Sequence, residues 1–402
     1  MKMKKKEFGE SLFLVAYGCI LLAFLFQISN LPNTYNIIYS VIRYLRIFGY
    51  VMCLIKILIT DTFAVKNIVK ILLIFLLVSI ATLRSESLTI FTDVFLIVAC
   101  KNVRLEKTIK LDLKIRFLFL IGIALVCLTN LIPDTLDYRN GTLSRHSLGF
   151  AHPNRFALHI FMICIYYLYI NYYKIKIRQI IMIFFLGFFT LFLSDGRTSC
   201  LGIFLVLIIA ILNRYNLKRK KDSIIEKNIK IVSTLSVIFS ISFSILAPVL
   251  YLLGIFKINS ESTFGSRIYM SSQGIRNYGI TLFGQKIDLV TSIMARLTGR
   301  AANGIDNAYI YILVNYGVII LLLFIALIVV ALKYAIKRSD YAGVLCFLII
   351  IAVGIMENQI LNIESDLFLL YVGKALYDRK KYNVNNNESK MGNGYEYTAN
   401  KR

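Results

Sequence analysis

Arginine residues recur in segments of the chain that are otherwise poor in basic residues. A guanidinium group is planar, keeps its proton and binds phosphate through paired hydrogen bonds, so several together suggest a site for an anionic ligand. A single arginine in such a segment is better explained by a contact to lipid headgroups, but the set favours a site. The candidate substrate-binding arginines are Arg145, Arg197, Arg267, Arg276 and Arg300, and Arg139, Arg155 and Arg296 occur in the same segments.

Asp306 and Asn307 stand at the boundary between a long polar segment and an apolar run. A residue at this position can cap the helix that the apolar run predicts. A carboxylate at a membrane boundary is also partly desolvated, which makes Asp306 a candidate catalytic base. The two roles are compatible. Glu357 lies at the end of another apolar run, and we group it with Asn307 as a candidate substrate-binding residue.

All three histidines lie in the stretch from Arg145 to His159. His152 and His159 are seven residues apart and would share a face if this stretch is helical. Their spacing differs from HExxH and no partner carboxylate is evident, so we predict no metal site. His152 is a candidate acid or base, or a group that orients the ligand.

Asp195, Gly196, Arg197 and Thr198 form a predicted tight turn between two apolar runs. Glycine permits such a turn, and aspartate or threonine can cap the flanking helix. A turn of this kind can be purely structural. Because a turn does not require an arginine, Arg197 is the candidate functional residue within it.

The scaffold that must position these residues is predicted to be a membrane-embedded helical bundle. The chain has 402 residues, of which 58% are hydrophobic, and its mean hydropathy is +0.70. The apolar residues form runs of roughly 16–25 residues, the length of helix that crosses about 30 Å of hydrocarbon. We predict an all-α polytopic membrane protein with about twelve transmembrane helices. The predicted spans are 11–29, 36–58, 68–83, 86–100, 115–132, 156–173, 179–194, 198–213, 231–253, 308–332, 341–356 and 366–377.

The net charge of +24 would suggest nucleic-acid binding in a soluble protein. Here the lysines and arginines cluster in alternate gaps between apolar runs, where they indicate topology and contacts to anionic lipid. The positive-inside rule places both termini in the cytoplasm of a cell that carries this protein in its cytoplasmic membrane. We therefore expect membrane lipids as partners and no nucleic acid.

Two longer segments, 133–155 and 256–307, fall on the external side of this topology. Long ordered loops are usually functional. Within the second, Ser266–Gly284 predicts a short amphipathic helix at the outer interface. Residues 1–10 form a basic cytoplasmic N-terminus, residues 11–377 the transmembrane domain, and residues 378–402 a cytoplasmic tail that we predict to be disordered.

Some of the predicted spans contain charged residues. Arg43 and Arg46 lie one turn apart in the second span, and Asp93 in the fourth is a candidate partner. Charge at membrane depth is costly and usually functional. Alternatively, Asn36–Arg46 is an interfacial helix and the span begins later.

Several segments resemble bacterial polysaccharide repeat-unit polymerases of the Wzy type, within the O-antigen polymerase and ligase superfamily. Residues 145–154 (RHSLGFAHPN) resemble the R-x-S-x-G-F-x-H-P-N segment of that family, and this likeness adds Asn154 to the candidate substrate-binding residues. Residues 194–198 resemble its S-x-S-R-T/S turn, with Gly196 where serine is common. Residues 264–267 resemble its L-S-G-R segment, and Asn307 with Gly317 matches N-x9-G. The related ligases carry histidine where this chain has Asp306, which fits the polymerase branch.

The resemblance implies a glycosyltransferase that acts on the outer side of the cytoplasmic membrane. Such enzymes transfer a glycan from one undecaprenyl diphosphate to a sugar hydroxyl on another, building capsular or exopolysaccharide. The external arginines would hold the diphosphate and stabilise its charge as it leaves. Asp306 or His152 would take the proton of the acceptor hydroxyl. No cofactor is implied, and other polysaccharide-assembly proteins are expected partners.

Three other functions compete with this interpretation. A flippase for lipid-linked oligosaccharides also has about twelve spans, but would carry charges through a central cavity and short loops on both sides. A ligase would move a finished glycan to a cell-wall or lipid acceptor. A non-enzymatic membrane scaffold would not need the external arginines.

Overall fold

The computed structural model of the chain describes residues 2–139, 143–219, 224–259, 262–290, 295, 298–300 and 303–377. The predicted disordered tail, 378–402, lies outside the described residues, as does Arg296. The structure is 77% helical, so the prediction of an all-α protein is confirmed. The strands found within the described ranges are β1 (Asp137–Arg139) and β2 (Leu143–Arg145), which pair antiparallel.

Most helices correspond to the predicted spans within a few residues. The helices, in chain order, are α1 (Lys2–Gln27), α2 (Leu31–Thr34), α3 (Ile37–Thr60), α4 (Val65–Ser85), α5 (Thr89–Ala99), α6 (Leu105–Leu128), α7 (Pro153–Asn171), α8 (Ile177–Ser194), α9 (Arg197–Arg219), α10 (Ile224–Lys227), α11 (Ile229–Leu252), α12 (Thr263–Tyr278), α13 (Ala308–Asn315), α14 (Gly317–Lys337), α15 (Tyr341–Val353) and α16 (Leu370–Tyr377).

Within the described ranges, seven helices are long and apolar enough to cross a membrane. These are most of α1 and all or nearly all of α4, α7, α8, α9, α11 and α14. Much of their surface is apolar and unburied, as expected for side chains that face lipid rather than protein. The protein is therefore a multi-pass helical membrane protein, while the number of twelve spans stays a prediction.

Contacts between helix termini define two ends of the bundle. At the end that contains the β-hairpin, called here the hairpin end, Asn30 binds the carbonyl of Pro133 and Arg145 binds the carbonyl of Ser194. At the opposite end, Glu10 of α1 pairs with Arg104. Tyr377 also lies there, next to Lys101, so the first and last described helices begin and end at the same end of the bundle.

The tenth predicted span, 308–332, is broken in the structure. The apolar run continues through the break, but α13 ends at Asn315 and α14 begins at Gly317. Gly317 has φ +89°, a left-handed conformation that favours glycine. A Cβ atom at this position would lie 2.4 Å from the backbone nitrogen of Gly284. The close approach of residues 282–284 therefore requires glycine and interrupts the helix.

Residues 354–369 enter the bundle without forming an α-helix, although the sequence predicted parts of two spans here. Non-helical backbone at membrane depth is tolerated where protein surrounds it and satisfies its polar groups. Buried side chains supply those partners here: Arg116 donates to the carbonyl of Glu364, the amide of Ile363 donates to Asp93 at 3.1 Å, and that of Leu367 donates to Tyr166 at 3.0 Å. We call residues 354–369 the re-entrant segment.

The expected pairing of Asp93 with Arg43 or Arg46 is wrong. Asp93 accepts a hydrogen bond from the re-entrant segment, and Arg46 donates to the side chain of Gln27 on α1. The sequence could not reveal this, because the partner of Asp93 is a backbone amide 270 residues away. Arg43 and Arg46 both belong to one continuous helix, Ile37–Thr60.

Candidate functional site

The predicted external loop 133–155 is organised by the carboxylate of Asp134. Its Oδ1 accepts hydrogen bonds from the backbone amides of Ser147 and Leu148, each at 2.9 Å, and its Oδ2 contacts the ring of His146 at 2.6 Å. Burial raises the pKa of Asp134, but these hydrogen bonds outweigh it and leave the pKa below its usual value. The segment that resembles the polymerase motif is thus fixed by a carboxylate that precedes it.

We expect Asp134→Asn to destabilise the protein by about 1–3 kcal/mol, because the backbone amides of Ser147 and Leu148 lose an ionised acceptor. Since the folded pKa of Asp134 is lowered, this stabilisation is present above the unfolded pKa and disappears as the pH falls below about 4.

Unfolding in detergent can be followed with a thiol-reactive dye, because Cys53 and Cys127 become accessible. Glu106→Gln is a matched control, since Glu106 is exposed and pairs with Lys110. Equal melting temperatures for both variants at pH 7 would contradict this assignment.

Arg145 is buried and its guanidinium is occupied by protein. Nη1 binds Asp137 at 2.8 Å, Nε donates to the carbonyl of Ser194 at 2.8 Å, and Nη2 donates to Asn154. These bonds tie the β-hairpin to the turn after α8 and to the start of α7. Arg145 was predicted to bind substrate, but in this arrangement it positions Asn154 instead.

His152 caps α7. Its Nδ1 accepts a hydrogen bond from the amide of Asn154 at 3.0 Å, and Pro153 follows at the first helical position, where its missing amide hydrogen costs nothing. Arg155 then falls in the first turn, where a cation opposes the helix dipole and needs another reason to be present.

Arg155 lies at the wall of a mostly apolar cavity. The cavity has a volume of about 390 Å³. Asp306 and the polar residues Asn358, Gln359 and Asn362 of the re-entrant segment share its lining. Below them the walls are apolar side chains of α4, α5, α14 and α16, among them Val78, Ile97, Ile320, Leu327 and Val372.

Within the described residues, the Arg155 guanidinium has no hydrogen bond or salt bridge. Its electrostatic partner is Glu357, a buried carboxylate that also interacts with Arg267. The two guanidinium groups stabilise the charge of this carboxylate. Arg155 is therefore a cation at the polar end of an apolar cavity, with capacity to bind an anion.

Asp306 and Arg267 form a salt bridge at the same end of the cavity. Arg267 comes from α12, which spans Thr263–Tyr278 and is followed by Gly279 as its cap. The sequence predicted this helix over Ser266–Gly284. Asn307 caps α13, its side chain accepting from the amides of Tyr309 and Ile310. Asn307 is thus the helix cap, which leaves the Asp306 carboxylate available to face the cavity.

Four of the predicted substrate-binding residues line one small pocket of about 10 Å³ beside the cavity. Arg197 is held there by Asp195 at 3.0 Å and by Thr263 of α12 at 2.9 Å, so the turn after α8 is fastened to α12. The four residues are Asn154, Arg197, Arg267 and Glu357.

Two predicted substrate-binding residues lie elsewhere. Arg276 is exposed on α12 and lines neither the cavity nor the small pocket. Arg300 lines a separate polar groove next to the cavity. The other two histidines are engaged by protein groups, because His146 contacts Asp134 and His159 is buried beside Arg116.

Sequence reasoning did not select Arg155 as a site residue, although it was counted among the arginines of the external segments. Its position in the first turn of a predicted helix could have indicated a functional role, because the helix dipole disfavours a cation there. Asn358, Gln359 and Asn362 were also missed. They belong to the re-entrant segment, whose non-helical path no local pattern indicates.

The comparisons and a search for metal-binding groups add no identification. No family model, curated protein or solved structure matches this chain. Among the described residues, no three histidine, cysteine or acidic side chains are grouped in a way that could hold a metal ion.

Proposed function

We propose that this protein polymerises lipid-linked oligosaccharide repeat units, transferring a glycan from one polyprenyl diphosphate to a sugar hydroxyl on another. The observation that carries the proposal is the cavity of about 390 Å³, which has Arg155 and Asp306 at one end and apolar walls along the rest. A cavity that is charged at one end and apolar along the rest suits a ligand in which an anionic group is attached to a long hydrocarbon chain.

The apolar part of the cavity would hold the polyprenyl chain. A smaller apolar pocket lined by Ile71 and Leu376 shares Val94, Ile97 and Leu327 with it, so the apolar lining extends towards the opposite end of the bundle. Its outer wall is formed by α4, a helix whose surface is mostly unburied. A lipid chain could therefore enter between α4 and α14 directly from the bilayer.

The polar end would hold the diphosphate. Arg155 would bind it, with Arg267 and Arg197 nearby, and these cations would stabilise the charge that develops as the diphosphate leaves. Glu357 interacts electrostatically with both Arg155 and Arg267, so the polar end combines one carboxylate with two guanidinium groups.

In the proposed reaction, the bond between the anomeric carbon of the donor glycan and the diphosphate oxygen breaks. The diphosphate keeps the electron pair, and the acceptor hydroxyl oxygen bonds to the anomeric carbon. The hydroxyl proton passes to Asp306 and then to solvent. The products are a lengthened lipid-linked glycan and free polyprenyl diphosphate. His152, the second candidate base, already caps α7.

We place this chemistry on the outer face of a bacterial cytoplasmic membrane, with twelve spans and both termini in the cytoplasm. The order of the helices supports this topology, since successive long helices run alternately between the hairpin end and the opposite end. Lys56, Lys101, Arg104 and Lys107 gather at the opposite end, as the positive-inside rule expects of a cytoplasmic face.

A flippase is the alternative with a specific observation in its favour, because the cavity would also accommodate a lipid-linked substrate during transport. It would need a polar path through the bundle for the glycan. The polar lining of this cavity is concentrated near Arg155 and the re-entrant segment instead. A ligase would use the same donor site with a different acceptor.

The test is to delete the gene and analyse the lipid-linked glycans on each leaflet. A polymerase predicts that single repeat units accumulate on the outer leaflet and that long polymer disappears. Single units trapped on the inner leaflet would identify a flippase, and long lipid-linked polymer that fails to reach its final acceptor would identify a ligase. Either result would overturn the proposal.

A further inference from the structure

A second opening lies at the hairpin end and shares two residues, Leu289 and Tyr311, with the wall of the large cavity. It is an open groove of about 580 Å³, within the size range of small-ligand sites. We call it the polar groove. We propose that it binds the acceptor oligosaccharide, which deepens the proposed function and rests on it.

The polar groove is lined by side chains suited to neutral polyhydroxylated ligands. Glu86 and Asp288 supply carboxylates, Asn315 an amide, and Tyr311 and Ser87 hydroxyls. Sugar hydroxyls both donate and accept hydrogen bonds, so they can use all of these groups. The cavity beside it is largely apolar, so the two openings suit different parts of a lipid-linked glycan.

The charge of the groove distinguishes it from a second diphosphate site. Its ionised side chains are two carboxylates, Glu86 and Asp288, and two cations, Lys286 and Arg300, which balance. Lys286 pairs with Glu86 at 2.7 Å. Asp288 and Arg300 are exposed, and within the described ranges neither side chain has a hydrogen bond or salt bridge. They are available to a ligand.

The wall of the groove is fixed before any ligand binds. The amide of Gln285 donates to the carbonyl of Asn315 at 3.0 Å, and the side-chain amide of Asn303 donates to the carbonyl of Asp288 at 2.9 Å. Glu86 caps α4 with φ 53°, in the left-handed region. These bonds hold residues 285–290 against α13 and present Asp288 at the groove.

The two residues that line both openings connect the polar groove to the proposed reaction site. A glycan seated in it would approach the polar end of the cavity past Leu289 and Tyr311, towards the carboxylate proposed to take its proton. Donor and acceptor would therefore occupy separate sites. This separation predicts that damage to the groove changes the use of the acceptor and leaves binding of the donor unchanged.

The experiment uses the full-length protein in nanodiscs and lipid-linked repeat units extracted from a strain that lacks the gene. The free oligosaccharide is released from part of that lipid by mild acid. Binding of the free oligosaccharide is titrated by saturation-transfer difference NMR, and the Michaelis constants for acceptor and donor are measured separately.

We expect Asp288→Asn and Arg300→Gln each to weaken oligosaccharide binding and raise the acceptor KM by ~10-fold, with the donor KM unchanged. Asp288→Glu should recover part of the loss, and Glu7→Gln, at an exposed carboxylate of the opposite end, should have no effect.

Two results would overturn the inference while polymerisation by the unmodified protein continues. One is unchanged oligosaccharide affinity in both groove variants. The other is a rise in the donor KM alone, which would assign the groove to the donor. Failure of the unmodified protein to polymerise the extracted units would instead contradict the proposed function, so the two failures are distinguishable.

Discussion

Replacing Arg155 with alanine is expected to lower polymer formation by about 10²–10³-fold, the loss typical when a preorganised stabilising group is removed from a transition state. Arg155 is the guanidinium at the cavity wall that has no hydrogen bond or salt bridge within the described chain, so an anionic substrate group would not have to displace a protein carboxylate from it. Arg155→Lys should retain part of the activity, because lysine keeps the charge but cannot bind phosphate through a planar fork. The measurement is the rate of chain elongation from purified lipid-linked repeat units in nanodiscs.

Arg276→Ala is the matched control for this prediction. Arg276 is also an arginine at the hairpin end, but it is exposed on α12 and lies outside the cavity lining. It should elongate chains at the rate of the unmodified protein. If Arg155→Ala inserts normally and elongates as fast as Arg276→Ala, the diphosphate is bound elsewhere and the cavity does not present its polar end to the substrate.

Hydropathy and charge pattern were enough to predict the helical membrane architecture. A helix in lipid must be apolar along its whole length, so its signal is local and strong. The hydropathy pattern predicted one continuous helix over 308–332, and this was wrong at Gly317. Residues 282–284 approach the backbone there and interrupt the helix. The hydropathy pattern also failed at the re-entrant segment. That backbone is held by Arg116, Asp93 and Tyr166, which come from three different helices.

The sequence indicated which residue types form the candidate site, but it indicated only part of their arrangement. Residue type identified the guanidinium groups and the carboxylate, and the structure gathers Asn154, Arg197, Arg267 and Glu357 around one pocket. Residue type could not separate an arginine satisfied by protein from one left for a ligand. Arg145 is fully engaged by Asp137, Ser194 and Asn154, whereas Arg155 is not, and only tertiary contacts distinguish them.

Asp306→Asn is expected to reduce elongation by about 10²–10⁴-fold, the contribution typical of a general base. The substitution keeps the shape of the side chain and removes its charge, so the acceptor hydroxyl would lose its proton acceptor. It would also leave Arg267 without its salt bridge, and a double-mutant cycle separates the two effects. The measurements are elongation rates of Asp306→Asn, Arg267→Gln and the double variant.

If Asp306 acts as the base, the double variant should be much slower than Arg267→Gln alone, because the proton acceptor is lost in addition to the cation. If Asp306 serves only to hold Arg267 in place, the double variant should be no slower than Arg267→Gln alone, because the salt bridge is already broken in that variant. Equal rates for the double variant and Arg267→Gln would therefore remove Asp306 from the proposed chemistry. A normal rate for Asp306→Asn would do so more directly, since an amide in the same position cannot take up the proton of a sugar hydroxyl.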